Sequence, residues 1–312
     1  MGSFDGVRWA AVLLGAALAG QGVAQEPARP PLASVSHIAV YATDPAKAER
    51  FYVHDLGAVK LPDPEDPRGM RFHFAPAQFV EVLPLPAGET SINRLAHVAL
   101  NTTDAEAMRR YLAASGVRVP ERLNRGADGS RWFSVVDPEG TPVQFVQPPA
   151  TLPAIPVNPL SSHIMHVGFI VHDPAREDRF YKDVLGFRAY WEGGMRDDER
   201  TWVSLQLPDG RDWIEYMVVG TPDGRGIPSG MTAANLGVLN HFALGMADAR
   251  SAYTLLWNGN RLRGQSETPK IGRDAKWQLN LYDPDGTRAE LMEFHAIGTP
   301  CCSPFRAPDP ER

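Results

Sequence analysis

His166-Val-Gly-Phe-Ile-Val-His-Asp173 is the stretch from which the fold can be read. Successive side chains of an extended strand point to opposite faces. Val167 and Phe169 therefore share one face, and His166 and Gly168 share the other. The pattern recurs as His37-Ile-Ala-Val-Tyr-Ala-Thr-Asp44, His97-Val-Ala-Leu-Asn-Thr-Thr-Asp104 and His241-Phe-Ala-Leu-Gly-Met-Ala-Asp248. Each time a His lies seven residues before an Asp, and the residue two past the His is small: Ala39, Ala99, Gly168, Ala243. One face of each strand is packed. The other is hollow beside an imidazole, as a ligand site requires.

Working outward, each Asp is placed to cap a helix, its carboxylate accepting from the free N–H groups of the first turn. Pro45 and Pro174 take the first helical position, and Thr103 with Glu106 forms a capping box. Apolar stripes follow, among them Phe51-Tyr52, Met108-Leu112, Phe180-Tyr181 and Leu255-Leu256, and the helices stop at Gly57, Gly116, Gly186 and Gly259. Three short strands are expected after each helix. The last of them carries a polar residue between apolar neighbours, namely Glu81, Gln144, Glu215 and Glu290. The alternation puts these four on the hollow face. Asp137-Pro-Glu-Gly140 and Asp283-Pro-Asp-Gly286 are turns feeding two of the strands. The chain is thus expected to be α+β, with four βαβββ units.

The composition agrees. The 312 residues are 43% hydrophobic and 22% charged, which suits a folded core. Thirty-one basic against 37 acidic side chains give −6, which argues against a nucleic-acid partner. Twenty-eight Gly and 28 Pro favour turns and short strands. Arg8, the apolar run Trp9 to Ala19 and the small residues Gly22-Val23-Ala24 mark residues 1–24 as an export signal, so the mature protein is expected outside the cytoplasm, periplasmic or secreted. No other stretch is long enough to span a membrane. The organisation expected is a pair of units over 35–148, a Pro-rich linker over 149–160, a second pair over 161–296 and a loose tail over 297–312. Cys301 and Cys302, the only cysteines, are read as incidental thiols of that tail.

Two imidazoles and two carboxylates suit a divalent transition metal, with Zn(II), Ni(II), Co(II), Mn(II) and Fe(II) all chemically possible. Pairing the third unit with the fourth assembles His166, Glu215, His241 and Glu290. The first pair assembles His37, Glu81, His97 and Gln144, a second or degraded site because an amide is a weak ligand. Pairing the first unit with the fourth would instead join His37 and Glu81 to His241 and Glu290. His54, His73, His163, His172 and His295 fall out of register and are read as structural. Trp202, Trp213, Tyr216 and Trp277 lie near strands, where they line a pocket or fill the core.

Four βαβββ units with a first-strand His and a last-strand Glu resemble the vicinal oxygen chelate superfamily of glyoxalases, bleomycin resistance proteins and extradiol dioxygenases. The helix ends Phe51-Tyr52…Asp55-Leu56-Gly57 and Phe180-Tyr181…Val184-Leu185-Gly186, and the turn before Glu290, are similar to its motifs. The resemblance implies two glyoxalase-like half-barrels and an enzyme acting on a small molecule with vicinal oxygens. The His-Glu-His-Glu set resembles that of glyoxalase I, which implies a lyase or isomerase with Glu290 as base and Glu215 as its partner, while the four-unit architecture resembles the dioxygenases more closely. An exported protein would not meet glutathione, so the substrate is expected to be another small molecule. An Fe(II) extradiol-type dioxygenase using His166, His241 and Glu290 is the alternative, and a non-catalytic binding protein the third. The oligomeric state stays open.

Overall fold

The computed structural model describes residues 1–2, 27–262, 264–265 and 267–311, so the export-signal reading lies outside the described residues. Among the described residues no helix is long and apolar enough to cross a membrane.

The four units appear in order. The first is β1 (Leu32–Ala42), α1 (Pro45–Glu49), β2 (Val59–Pro62), β3 (Met70–Ala75) and β4 (Gln78–Pro84). The second is β5 (Leu95–Thr102), α2 (Ala105–Ala114), β6 (Asn124–Arg125), β7 (Arg131–Val136) and β8 (Pro142–Gln147). The third is β9 (Ile164–Val171), α3 (Pro174–Asp178), β10 (Arg188–Gly193), β11 (Trp202–Gln206) and β12 (Trp213–Val218). A short extra helix, α4 (Leu236–Leu239), precedes the fourth: β13 (His241–Met246), α5 (Ala249–Asn258), β14 (Lys270–Ile271), β15 (Trp277–Tyr282) and β16 (Arg288–Glu293).

Units one and two form a single curled eight-stranded sheet, β2-β3-β4-β1-β5-β8-β7-β6. Units three and four form a second, β10-β11-β12-β9-β13-β16-β15-β14. These are two half-barrels, and the pairing that would have joined His37 to His241 does not occur. The first strands of paired units run antiparallel at the centre, while each acid-bearing strand lies parallel to its own unit's first strand.

Every unit begins its helix on the expected cap. Asp44, Asp104, Asp173 and Asp248 accept from Lys47, Ala107, Arg176 and Ser251 N–H at 3.2, 3.0, 3.1 and 2.7 Å. The Thr103–Glu106 box does not form, because Asp104 takes the cap and Glu106 pairs with Arg109 at 2.7 Å. Gly57, Gly116 and Gly186 adopt positive φ as helix stops, but at Gly259 the left-handed residue is Asn260. After α1 and α3 the chain continues as a π-type turn, Arg50–Asp55 and Arg179–Val184.

The packed faces of both sheets and the buried sides of α1, α2 and α5 meet in one core, which contains Val40, Leu100, Phe169 and Leu244 alike. Two tyrosines cross it reciprocally. Tyr52 donates to Asp283 at 3.0 Å and Tyr181 donates to Asp137 at 3.2 Å, each to a turn of the other half.

Candidate metal centre

The centre of the second sheet builds the site. His166 faces Ala243 and His241 faces Gly168 across the β9–β13 ladder, while Gly168 and Ala243 lie beside Glu215 and Glu290 on the parallel side. The small residues make the room. A Cβ on Gly168 would stand 2.0 Å from His241 Cε1.

The imidazoles meet at Nε2, 3.1 Å apart. Glu215 Oε2 lies 3.1 Å from His241 Nε2, and Glu290 Oε2 lies 3.6 Å from His166 Nε2. The ligating atoms of His166, His241 and Glu290 are mutually within 4.8 Å. Glu215 also accepts, at Oε1, from Ser204 Oγ at 3.1 Å. Burial pushes both imidazoles well below their usual pKa, and the Arg288 charge adds to this at each. They are therefore neutral, as ligands must be. Burial pushes Glu290 up, opposed by Arg288, whose Nη2 is 3.6 Å from its Oε2. Two neutral nitrogens 3.1 Å apart, with the Glu290 carboxylate 3.6 Å from one of them, have about the spacing of adjacent ligands around one ion at roughly 2.1 Å. The residues present fit a divalent transition metal.

A cavity of about 400 Å³ opens on this centre. His166, Glu215 and Glu290 form its floor, and Trp202, Trp213, Tyr190 and Phe305 its walls. Trp213 stacks on His166, with centroids 4.5 Å apart and planes at 29°. Tyr216, by contrast, is fully buried in the core, and Trp277 packs against it.

The first sheet repeats the plan with different contents. His37 and His97 meet at 2.9 Å, and His97 Nε2 lies 3.4 Å from Glu81 Oε2. Phe79 stacks on His37 as Trp213 does on His166. Arg71 then intrudes, ion-paired to Asp63 at 3.1 Å and Glu65 at 2.6 Å with its guanidinium 4.4 Å over Phe79. Gln144 turns its amide to Glu65 at 2.7 Å. Burial, reinforced by Arg71, lowers His97 to about 4. Burial, together with Asp63, raises Glu81.

A glyoxalase/bleomycin resistance protein/dioxygenase superfamily model matches residues 34–145 and 163–291, both half-barrels. The chain belongs to this superfamily. Its members include metal-dependent enzymes, dioxygenases among them. No curated protein matches the chain by sequence. Similar solved structures carry the same fold. Homoprotocatechuate 2,3-dioxygenase from Brevibacterium fuscum, in complex with 3,4-dihydroxyphenylacetate, is 19% identical, with a TM-score of 0.61 over 85% of this chain and 82% of that one. The enzyme of that name from Arthrobacter globiformis is 18% identical, with a TM-score of 0.62 over 85% and 80%. A catechol 2,3-dioxygenase is 15% identical, with a TM-score of 0.60 over 90% and 92%.

Within this superfamily member, the residues that distinguish the two halves are ones the sequence did not single out. Opposite the four acid or amide positions in the ladders stand Arg71, Ser134, Ser204 and Asn280. A serine steadies Glu215, while an arginine fills the matching place in the first half. The histidines read as structural do structural work, His163 to Asp212 at 2.6 Å and His172 to Glu139 at 3.0 Å. The tail is not loose. Cys301 and Cys302 are joined to each other as a disulfide, and Trp191 Nε1 donates to the Cys301 carbonyl at 3.2 Å.

Proposed function

We propose that this chain is a metal-dependent enzyme that opens the ring of a small aromatic bearing two adjacent hydroxyls, using O₂. The observation that carries the reading is the convergence of His166, His241 and Glu290, with Ser204 bonded to Glu215 Oε1 beside them. Two His and one carboxylate with open positions is the arrangement of non-haem Fe(II) oxygenases. When bound, Fe(II) would supply adjacent positions for the substrate oxygens and for O₂. Trp202, Trp213 and Tyr190 offer flat walls that orient a ring and exclude water. Glu215 Oε2 takes the proton that a substrate hydroxyl loses on binding, and Ser204 aims that carboxylate. The dioxygenases among the similar structures support the same class.

One observation favours the lyase or isomerase reading. Glu215 Oε2 is as close to His241 Nε2 as His166 is, so a fourth ligand is within reach, and Glu290 would act as base on loosening from the ion. An exported setting, which we also propose, makes glutathione adducts unsuitable for either reaction.

Anaerobic reconstitution with Fe(II), Mn(II), Zn(II) or Ni(II), followed by O₂ uptake on catechol and 3,4-dihydroxyphenylacetate, separates the readings. We expect about one ion per chain, none in His166→Ala/His241→Ala, and uptake matched to ring-opened product with Fe(II). A protein that holds metal but consumes no O₂ moves the assignment to the lyase or isomerase. A protein that holds none is a binding module.

A further inference from the structure

The last residues cross the open side of the second half-barrel. β10 and β14 are the two edges of its sheet, and the segment 297–311 is tied to both. At the β14 side, Ile297 N–H donates to the Ala275 carbonyl at 2.9 Å and Cys301 N–H to the Arg273 carbonyl at 2.8 Å. At the β10 side, Arg306 N–H donates to the Tyr190 carbonyl at 2.9 Å and Ser303 Oγ accepts from Glu192 N–H at 2.9 Å. Gln206 Nε2 donates to the Pro308 carbonyl at 2.8 Å. Between these ties Phe305 turns inward, 5.0 Å from the Tyr190 ring, and forms a wall of the cavity above the metal centre.

One ion pair locks the crossing. Lys276 is fully buried, its ammonium enclosed by the rings of Tyr190, Trp213 and Phe305. It donates to the Phe294 carbonyl at 2.8 Å, lies 3.0 Å from the Tyr190 hydroxyl, and pairs with Asp309 at 2.7 Å. Tyr190 also hydrogen-bonds to Asp309. A buried ammonium without a counter-charge is strongly unfavourable. Asp309, supplied by the crossing segment, meets that need from outside the sheet. The pair thus joins the β14–β15 turn, β10 and the tail at one point.

We propose that residues 297–311 are a strap that sets the bulk of the molecule admitted to the centre, with Phe305 as the size-determining wall and Lys276–Asp309 as the latch. The proposal rests on the ring-opening reading for its substrates, and on geometry alone for its latch.

The full chain, loaded with Zn(II) to keep ligands intact, is titrated with catechol and with 4-tert-butylcatechol by tryptophan fluorescence. Phe305→Ala should raise the affinity ratio of bulky over small at least about tenfold, which corresponds to about 1.4 kcal/mol. Asp309→Asn should leave the body folded yet expose the Arg306–Ala307 bond to trypsin, and should speed Zn(II) removal by the chelator 4-(2-pyridylazo)resorcinol at least about tenfold. An unchanged affinity ratio in Phe305→Ala overturns the wall. A tail as protected in Asp309→Asn as in the wild type overturns the latch. Should the wild type bind neither catechol, the ring-opening reading fails and Phe305 loses its assigned role. Trypsin protection and the chelation rate still decide the latch.

Discussion

Gly168 has His241 as its cross-strand neighbour, and even one methyl there collides with the imidazole. The side chain would have to leave the position from which it faces His166. We expect Gly168→Ala to fold, because the backbone there is ordinary strand, but to bind metal at least about tenfold more weakly in a chelator competition. Wild-type affinity would show that the imidazole reaches the ion by another route. Ser204→Ala tests the neighbouring contact: metal content should stay at the wild-type level while turnover falls by roughly tenfold or more, as expected when a proton acceptor loses its aim. Equal turnover would remove Ser204 from the mechanism. At this scale the sequence was legible where a period of two fixes a face. The four His, their small neighbours and the acids follow from alternation within single strands. Arg71 and Ser204 do not, because their place opposite an acid depends on hairpin register, which loop length and turn geometry decide.

α5 illustrates the scale of elements. Asp248 caps it at 2.7 Å, as an Asp caps each unit's helix. Asp248→Ala should cost about 1 kcal/mol in chemical denaturation, with the cavity and metal affinity untouched. A loss near zero would mean that packing of Ala252 and Leu256 alone holds the helix. Helix starts were readable since they rest on one side chain and the N–H groups three residues on. Helix ends were less so. Asn260 tolerates the left-handed conformation nearly as Gly does, and it takes the stop one residue beyond Gly259. α4 escaped notice because four residues carry no period. The tail escaped for a related reason. It has no secondary structure of its own, and its anchor, Lys276, looks in sequence like any surface lysine.

At the scale of the molecule, the halves are joined through groups that titrate. Burial raises Asp283 to about 6, while its bond from Tyr52 and the backbone bond from Thr287 pull the other way. Its ordinary value is near 3.9. Between these values the folded state holds a proton that the unfolded state has lost, so this group's contribution to stability falls as pH rises from about 4 to 6. Asp283→Asn removes the titration; its one oxygen keeps the Asp285 and Thr287 N–H bonds, and its amide N–H donates to the Tyr52 hydroxyl. The variant should therefore gain on the wild type by roughly 1–3 kcal/mol between pH 4 and pH 7 in paired denaturation curves. A constant difference across that range would show that Asp283 does not titrate on folding. The pairing of units was legible only as a default, since both pairings place two His and two acids together. What settles it is the antiparallel meeting of first strands, a contact between residues far apart in sequence. The exchange of Tyr52 and Tyr181 between halves has a historical consequence as well. A duplicated ancestor whose copies merely sat side by side could later lose either one. Here each copy supplies the acceptor for a buried hydroxyl of the other, so deleting the first half would strand Tyr181 just as deleting the second would strand Tyr52. The first half takes in Arg71 beside His37, His97 and Glu81, and whatever it binds, its loss would leave Tyr181 without its acceptor.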